Sequence, residues 1–71
     1  REKFDIIFAD PPYALEDLAT IPDKIFAKDI LHPGAYLILE HPGDYNFEEH
    51  PYFIKEKKYG NVHFSFFEQP Q

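Results

Sequence analysis

The four residues Asp10-Pro11-Pro12-Tyr13 are the part of this sequence whose types and spacing could do chemistry. A carboxylate followed by two rings that stiffen the backbone fixes two acceptors in space, the Asp10 carboxyl and the Pro11 carbonyl. Such a pair suits an exocyclic amine on a nucleic acid base. The lone pair of that amine is delocalised into the ring, and acceptors that hold its protons out of the ring plane localise it and aim it at a methyl donor. Tyr13 then offers a flat face on which a base splayed from its neighbours can stack. At average residue usage the string arises by chance in roughly one chain in a few thousand of this length, so it carries more weight than a generic stiff turn.

The motif needs an element to hold it. Phe4-Asp5-Ile6-Ile7-Phe8-Ala9 is a near-continuous apolar run of strand-favouring residues, a pattern that suits a parallel strand covered on both faces. Two prolines without amide donors cannot continue a ladder, so the strand ends near Asp10. In open parallel sheets ligands sit beyond the carboxyl ends of strands, which is where this loop falls. A short helical turn is expected over residues 14–19. Thr20-Ile21-Pro22-Asp23 reads as a fresh helix start with Thr20 as cap, and the helix would carry Ile25, Phe26 and Ile30 until His32-Pro33-Gly34 breaks it. Ala35 to Glu40 forms a second buried-strand pattern, ended by His41-Pro42-Gly43. Strand, helix, strand implies a right-handed crossover with parallel strands.

Residues 44–51 are polar and turn-prone and read as a loop. Tyr52 to Tyr59 and Asn61 to Phe67 then form strand-like runs around Tyr59-Gly60-Asn61, a hairpin signal because Gly and Asn tolerate positive φ. In the second run Val62, Phe64 and Phe66 alternate with His63, Ser65 and Phe67, giving one apolar and one mixed face. Three His-Pro pairs, at His32, His41 and His50, recur every nine residues, but their neighbours do not match. They read as turn signals, and the histidines as ordinary loop residues.

Size and composition narrow the class. A chain of 71 residues buries little more than ~60% of the surface its unfolded form exposes, and it contains no Cys for staples or thiolate sites. The four His stand apart, so no metal site is expected. Hydrophobic content of 44% with 18% aromatics is too rich for disorder. The longest apolar runs, Ile6 to Ala9 and Ala35 to Leu39, fall far below a bilayer span, and no leader opens the chain, so a cytoplasmic protein without a membrane partner is expected. The formal charge of −6 argues against a stand-alone nucleic-acid binder, so an RNA surface is expected largely outside these residues. No Met is present and the sequence opens three residues before a strand, as a piece of a longer protein would.

Asp10-Pro11-Pro12-Tyr13 is similar to the catalytic motif of amino-group methyltransferases that use S-adenosylmethionine. The longer stretch Phe4 to Tyr13 resembles the RsmD family, which methylates a guanine amine of small-subunit ribosomal RNA. Leu31 to Gly34, Glu40-His41 and Lys57-Lys58-Tyr59-Gly60-Asn61 fit that family too, so the resemblance spans nearly the whole chain. It implies an α/β fold, the C-terminal part of a class I, Rossmann-like methyltransferase sheet. Residues 1–71 would supply its fourth to seventh strands, with the seventh antiparallel between the fifth and sixth. By the same resemblance Asp10, Pro11, Pro12 and Tyr13 are the catalytic residues. The resemblance also implies that Asp10 and Pro11 would lie near the reactive methyl of S-adenosylmethionine, and that ribosomal RNA or the small subunit would be the partner of the full-length protein.

The family's glycine-rich turn after its first strand and the acid that holds the cofactor ribose have no counterpart in these residues. The chain alone is therefore expected to be inactive and to self-associate through the strand edge it exposes. Two other functions share some of these features. A DNA adenine methyltransferase uses the same amine chemistry but usually carries a target-recognition segment, for which the residues after Asp10 leave little room. A non-catalytic interaction module would use the strands only as a scaffold.

Overall fold

The structure, a computed structural model, describes residues 2–12 and 16–71. Strand β1 (Phe4–Ala9) leads through a 3-10 turn (Leu18–Thr20) into helix α1 (Ile21–Ala27), and strands β2 (Leu31–His41), β3 (Phe53–Tyr59) and β4 (Val62–Glu68) follow. The four strands form one sheet in the order β1-β2-β4-β3. β1 and β2 are parallel, and β4 lies antiparallel between β2 and β3, the arrangement the resemblance implied. β3 therefore points the same way as β1 and β2.

One face of the sheet is covered. Leu37 and Leu39 of β2 and Phe67 of β4 are fully buried there beneath Leu18, Phe47 and the inward residues of α1, with Ile7 and Ala9 of β1 packed alongside. Phe67 is the hub of an aromatic cluster, with ring centroids 6.3 Å from Phe26, 5.7 Å from Phe47, 5.2 Å from His50 and 6.0 Å from Phe53. The opposite face is open. Phe4, Ile6 and Phe8 of β1 remain 50%, 60% and 55% exposed, so the apolar run that reads as a strand covered twice is covered here on one side only. On β4 the face with the mixed sequence, His63, Ser65 and Phe67, is turned to the core, and Val62, Phe64 and Phe66 are half-buried on the other side.

Two boundaries depart from the sequence reading. α1 ends at Ala27 rather than at His32-Pro33-Gly34, and Ile30 lies beyond it. Asp29 closes the helix with φ 55°, a left-handed conformation that a short polar side chain tolerates, and its amide reaches the Phe26 carbonyl at 3.3 Å. His32-Pro33-Gly34 instead lies inside β2. The ladder with β1 skips from Phe4↔Leu31 to Ile6↔Tyr36, so the irregularity absorbs a proline that lacks a donor, and Gly34 takes φ 83°. Thr20 stands at the helix cap as its sequence suggests, but its hydroxyl donates to the Asp17 carbonyl at 2.8 Å and makes no cap bond. Of the turn expected over residues 14–19, Ala14 and Leu15 lie outside the described residues.

Candidate active site at the carboxyl edge of the sheet

β1 and β2 end on the same edge. Their last matched pair is Ala9↔Leu39, after which β1 passes into Asp10-Pro11-Pro12 and β2 continues through Glu40 and His41 into Pro42-Gly43. The two prolines stop the β1 ladder for want of amide donors and hold the chain extended past the strand end. Asp10 and Pro12 are exposed and Pro11 is half-buried, so the carboxylate stands on the rim in contact with solvent. Tyr13 lies outside the described residues. The sequence reading thus has three of its four site residues together on one loop, directly after a parallel strand.

The neighbouring loop is held by a histidine that the His-Pro pattern misrepresents. His41 is not a loop residue: it is the last residue of β2 and is fully buried. Its Nδ1 donates to the Pro42 carbonyl at 2.8 Å, since a carbonyl can only accept. In the neutral ring Nε2 then accepts from the Ser65 hydroxyl at 2.7 Å. The ring also packs against Phe47, with centroids 5.0 Å apart. His32 likewise lies within β2, and His50 reaches Asp23 through Nε2 at 2.8 Å.

Opposite His41 in the ladder stands His63, whose Nδ1 meets a Glu56 carboxylate oxygen at 2.5 Å. The His63 ring lies so close to Gly43 that a Cβ there would approach Nε2 to 2.8 Å, so a larger residue would require the ring to shift. His41, Ser65, His63 and Glu56 thus fix the β2 side of the rim on which Asp10 stands. No motif marks them in the sequence; a lone Ser amid the aromatics of 62–67 is the one signal. Every buried side-chain polar atom among the described residues has a partner.

The arrangement can bind and orient, with limits. Among the described residues no pocket is enclosed and no three His, Asp or Glu converge on a metal position. No described helix is long and apolar enough to cross a membrane. The rim offers a carboxylate and backbone carbonyls to a planar group bearing N–H donors. A rim of acceptors of this kind is chemically compatible with one end of a methyl donor such as S-adenosylmethionine. The chain's three glycines sit in a strand irregularity, beside His63 and in a hairpin, and none forms a cradle for the rest of the cofactor.

A parallel pair with an intervening helix, closed by an antiparallel strand inserted next to the edge, is the C-terminal part of a class I methyltransferase fold. The comparisons agree. Residues 1–68 match the family described as Conserved hypothetical protein 95, the RsmD-type family, and the chain belongs to it. Among solved structures, the chain is similar to a hypothetical protein of Thermus thermophilus, at 28% identity and a TM-score of 0.78 over 94% of this chain and 36% of that one. It is also similar to a candidate methylase of Haemophilus influenzae, at 25% identity and TM-score 0.72 over 96% and 44% of the two chains. A candidate methyltransferase of Escherichia coli shares the fold at 20% identity and TM-score 0.62, over 99% of this chain and 40% of that one. The chain therefore spans less than half the length of these proteins. No curated protein sequence matches it.

Proposed function

We propose that the complete protein carrying this chain is a cytoplasmic methyltransferase that moves a methyl group from S-adenosylmethionine to the exocyclic N2 amine of a guanine in small-subunit ribosomal RNA. The observation that carries this reading is the position of Asp10-Pro11-Pro12 immediately past β1, on the carboxyl edge of a sheet of the methyltransferase type. The cofactor, when bound, supplies an electrophilic methyl. The chain's own residues present the nucleophile. The Asp10 carboxylate accepts one amine hydrogen and the Pro11 carbonyl the other, which draws the nitrogen lone pair out of conjugation with the ring, while the prolines keep both acceptors from following the base. Tyr13 stacks on the base and excludes water from its outer face. The buried His41–Ser65 pair ties the end of β2, beside this loop, to β4.

Incubation of the full-length protein with small-subunit ribosomal RNA and an isotopically labelled methyl donor, followed by nucleoside analysis, tests the proposal. Label in N2-methylguanosine is expected. Label in methyladenosine, or transfer to DNA alone, would overturn the choice of substrate.

A further inference from the structure

Seven Lys and Arg side chains stand against thirteen acidic ones, and three of the seven, Lys55, Lys57 and Lys58, are gathered on β3. β3 is an edge strand, and its residues 54–59 are exposed. Because it runs parallel to β1, its carboxyl end reaches the same rim as Asp10. Lys57 pairs with Phe64, which pairs with Glu40, one row past the Leu39↔Ala9 pair and level with Asp10. Three strand spacings separate the two, about 14 Å. The intervening acid, Glu56, is turned to His63, and Lys55 lies over the Phe66 ring at 5.0 Å. Tyr59 closes the strand 61% exposed, with its ring set edgewise against Phe64 at 5.9 Å.

Resting on the proposed reaction, we infer that Lys57, Lys58 and Tyr59 form a docking edge for single-stranded RNA to one side of the target base, with Lys57 and Tyr59 on one face of the strand and Lys58 on the other. The two ammonium groups contact phosphates and Tyr59 gives a neighbouring base a face to stack on. On a chain with net charge −6 most of the surface repels RNA, so a basic edge level with Asp10 also sets the direction from which the strand arrives. This places part of the RNA surface within these residues, where net charge alone puts it elsewhere.

The test measures binding of a guanine-containing single-stranded RNA oligonucleotide to the full-length protein across a salt series, beside methyl transfer to the same RNA. Lys57→Gln/Lys58→Gln is compared with Lys24→Gln/Lys28→Gln, on α1 and at its C-terminal cap, which removes the same charge elsewhere. The β3 pair is expected to lower the slope of log affinity against log salt by about 1.4 to 2, at 0.7 to 1 per phosphate contact, and to raise KM for RNA while transfer at saturation holds. The α1 pair leaves the slope nearly unchanged. Equal effects from both pairs, no binding by the unaltered protein, or aggregation with an unchanged slope, as edge lysines that only deter strand pairing would give, overturns the surface. A protein that binds RNA through β3 and methylates no guanine sinks the proposed reaction and leaves the surface standing.

Discussion

His41 Nε2 and Ser65 Oγ lie 2.7 Å apart, both residues fully buried, and join the end of β2 to the middle of β4 beside the candidate site. Ser65→Ala strands a ring nitrogen in the core, at a cost of about 1–3 kcal/mol. His41→Leu strands the hydroxyl in turn and loses the Nδ1 bond to Pro42. Because the two changes break the same bond, their combination should cost less than the sum of the single losses. Urea unfolding of the four proteins measures this, and strict additivity would show that the bond contributes nothing.

Phe67 is fully buried among Phe26, Phe47, His50 and Phe53. Phe67→Ala removes the hub, at about 3–5 kcal/mol. A chain of 71 residues has roughly 4–10 kcal/mol of total stability, so this variant should lose about a third of it or more and melt at a markedly lower temperature, while Phe67→Leu melts much closer to the unaltered chain. Circular dichroism melts decide it; a cooperative, near-unshifted melt for Phe67→Ala would place the core elsewhere.

The strands were legible wherever one local pattern sufficed. Phe4–Ala9 is a continuous apolar run with two prolines behind it, and Gly60, at φ 61°, sits where Tyr59-Gly60-Asn61 marks the hairpin. The position of Asp10-Pro11-Pro12 directly after β1 was legible for the same reason, because these residues are contiguous with the strand. What failed to show depends on partners distant in sequence. Alternation separates the faces of residues 62–67 but cannot say that the face with His63 and Ser65 meets α1 and Phe47. His41-Pro42 looks like any turn until Ser65 is placed across from it, and Pro33 ends a strand by rule unless an irregularity takes it in.

The open face of β1 gives a prediction about association. Phe4, Ile6 and Phe8 are half exposed or more, and the outer edge of β1 pairs with no described strand, whereas the other edge of the sheet carries lysines. The 71-residue chain on its own is expected to self-associate with rising concentration in light scattering, and Ile6→Lys/Phe8→Glu to shift it toward monomer. A clean monomer at high concentration for the unaltered chain contradicts this.

Cofactor binding should also separate the chain from the full-length protein. In the proposed reaction Asp10 and Pro11 meet one end of S-adenosylmethionine, and none of the chain's three glycines forms a cradle for the other. Titration calorimetry on the 71-residue chain is expected to show no measurable binding. Micromolar affinity would mean that these residues build far more of the site than one wall.

The central claim is that Asp10 holds the amine rather than merely ending a strand, and single-turnover methyl transfer by the full-length protein tests it most directly. Asp10→Ala removes a charged acceptor that contributes roughly 1.5–3 kcal/mol, so the rate should fall about tenfold to a few hundredfold, with cofactor affinity and melting temperature changed far less. Tyr13→Phe keeps the stacking face and should retain most activity, while Tyr13→Ala loses about 1–3 kcal/mol of base capture. An Asp10→Ala protein that transfers methyl at the normal rate, or one whose activity falls only in step with its stability, contradicts the account.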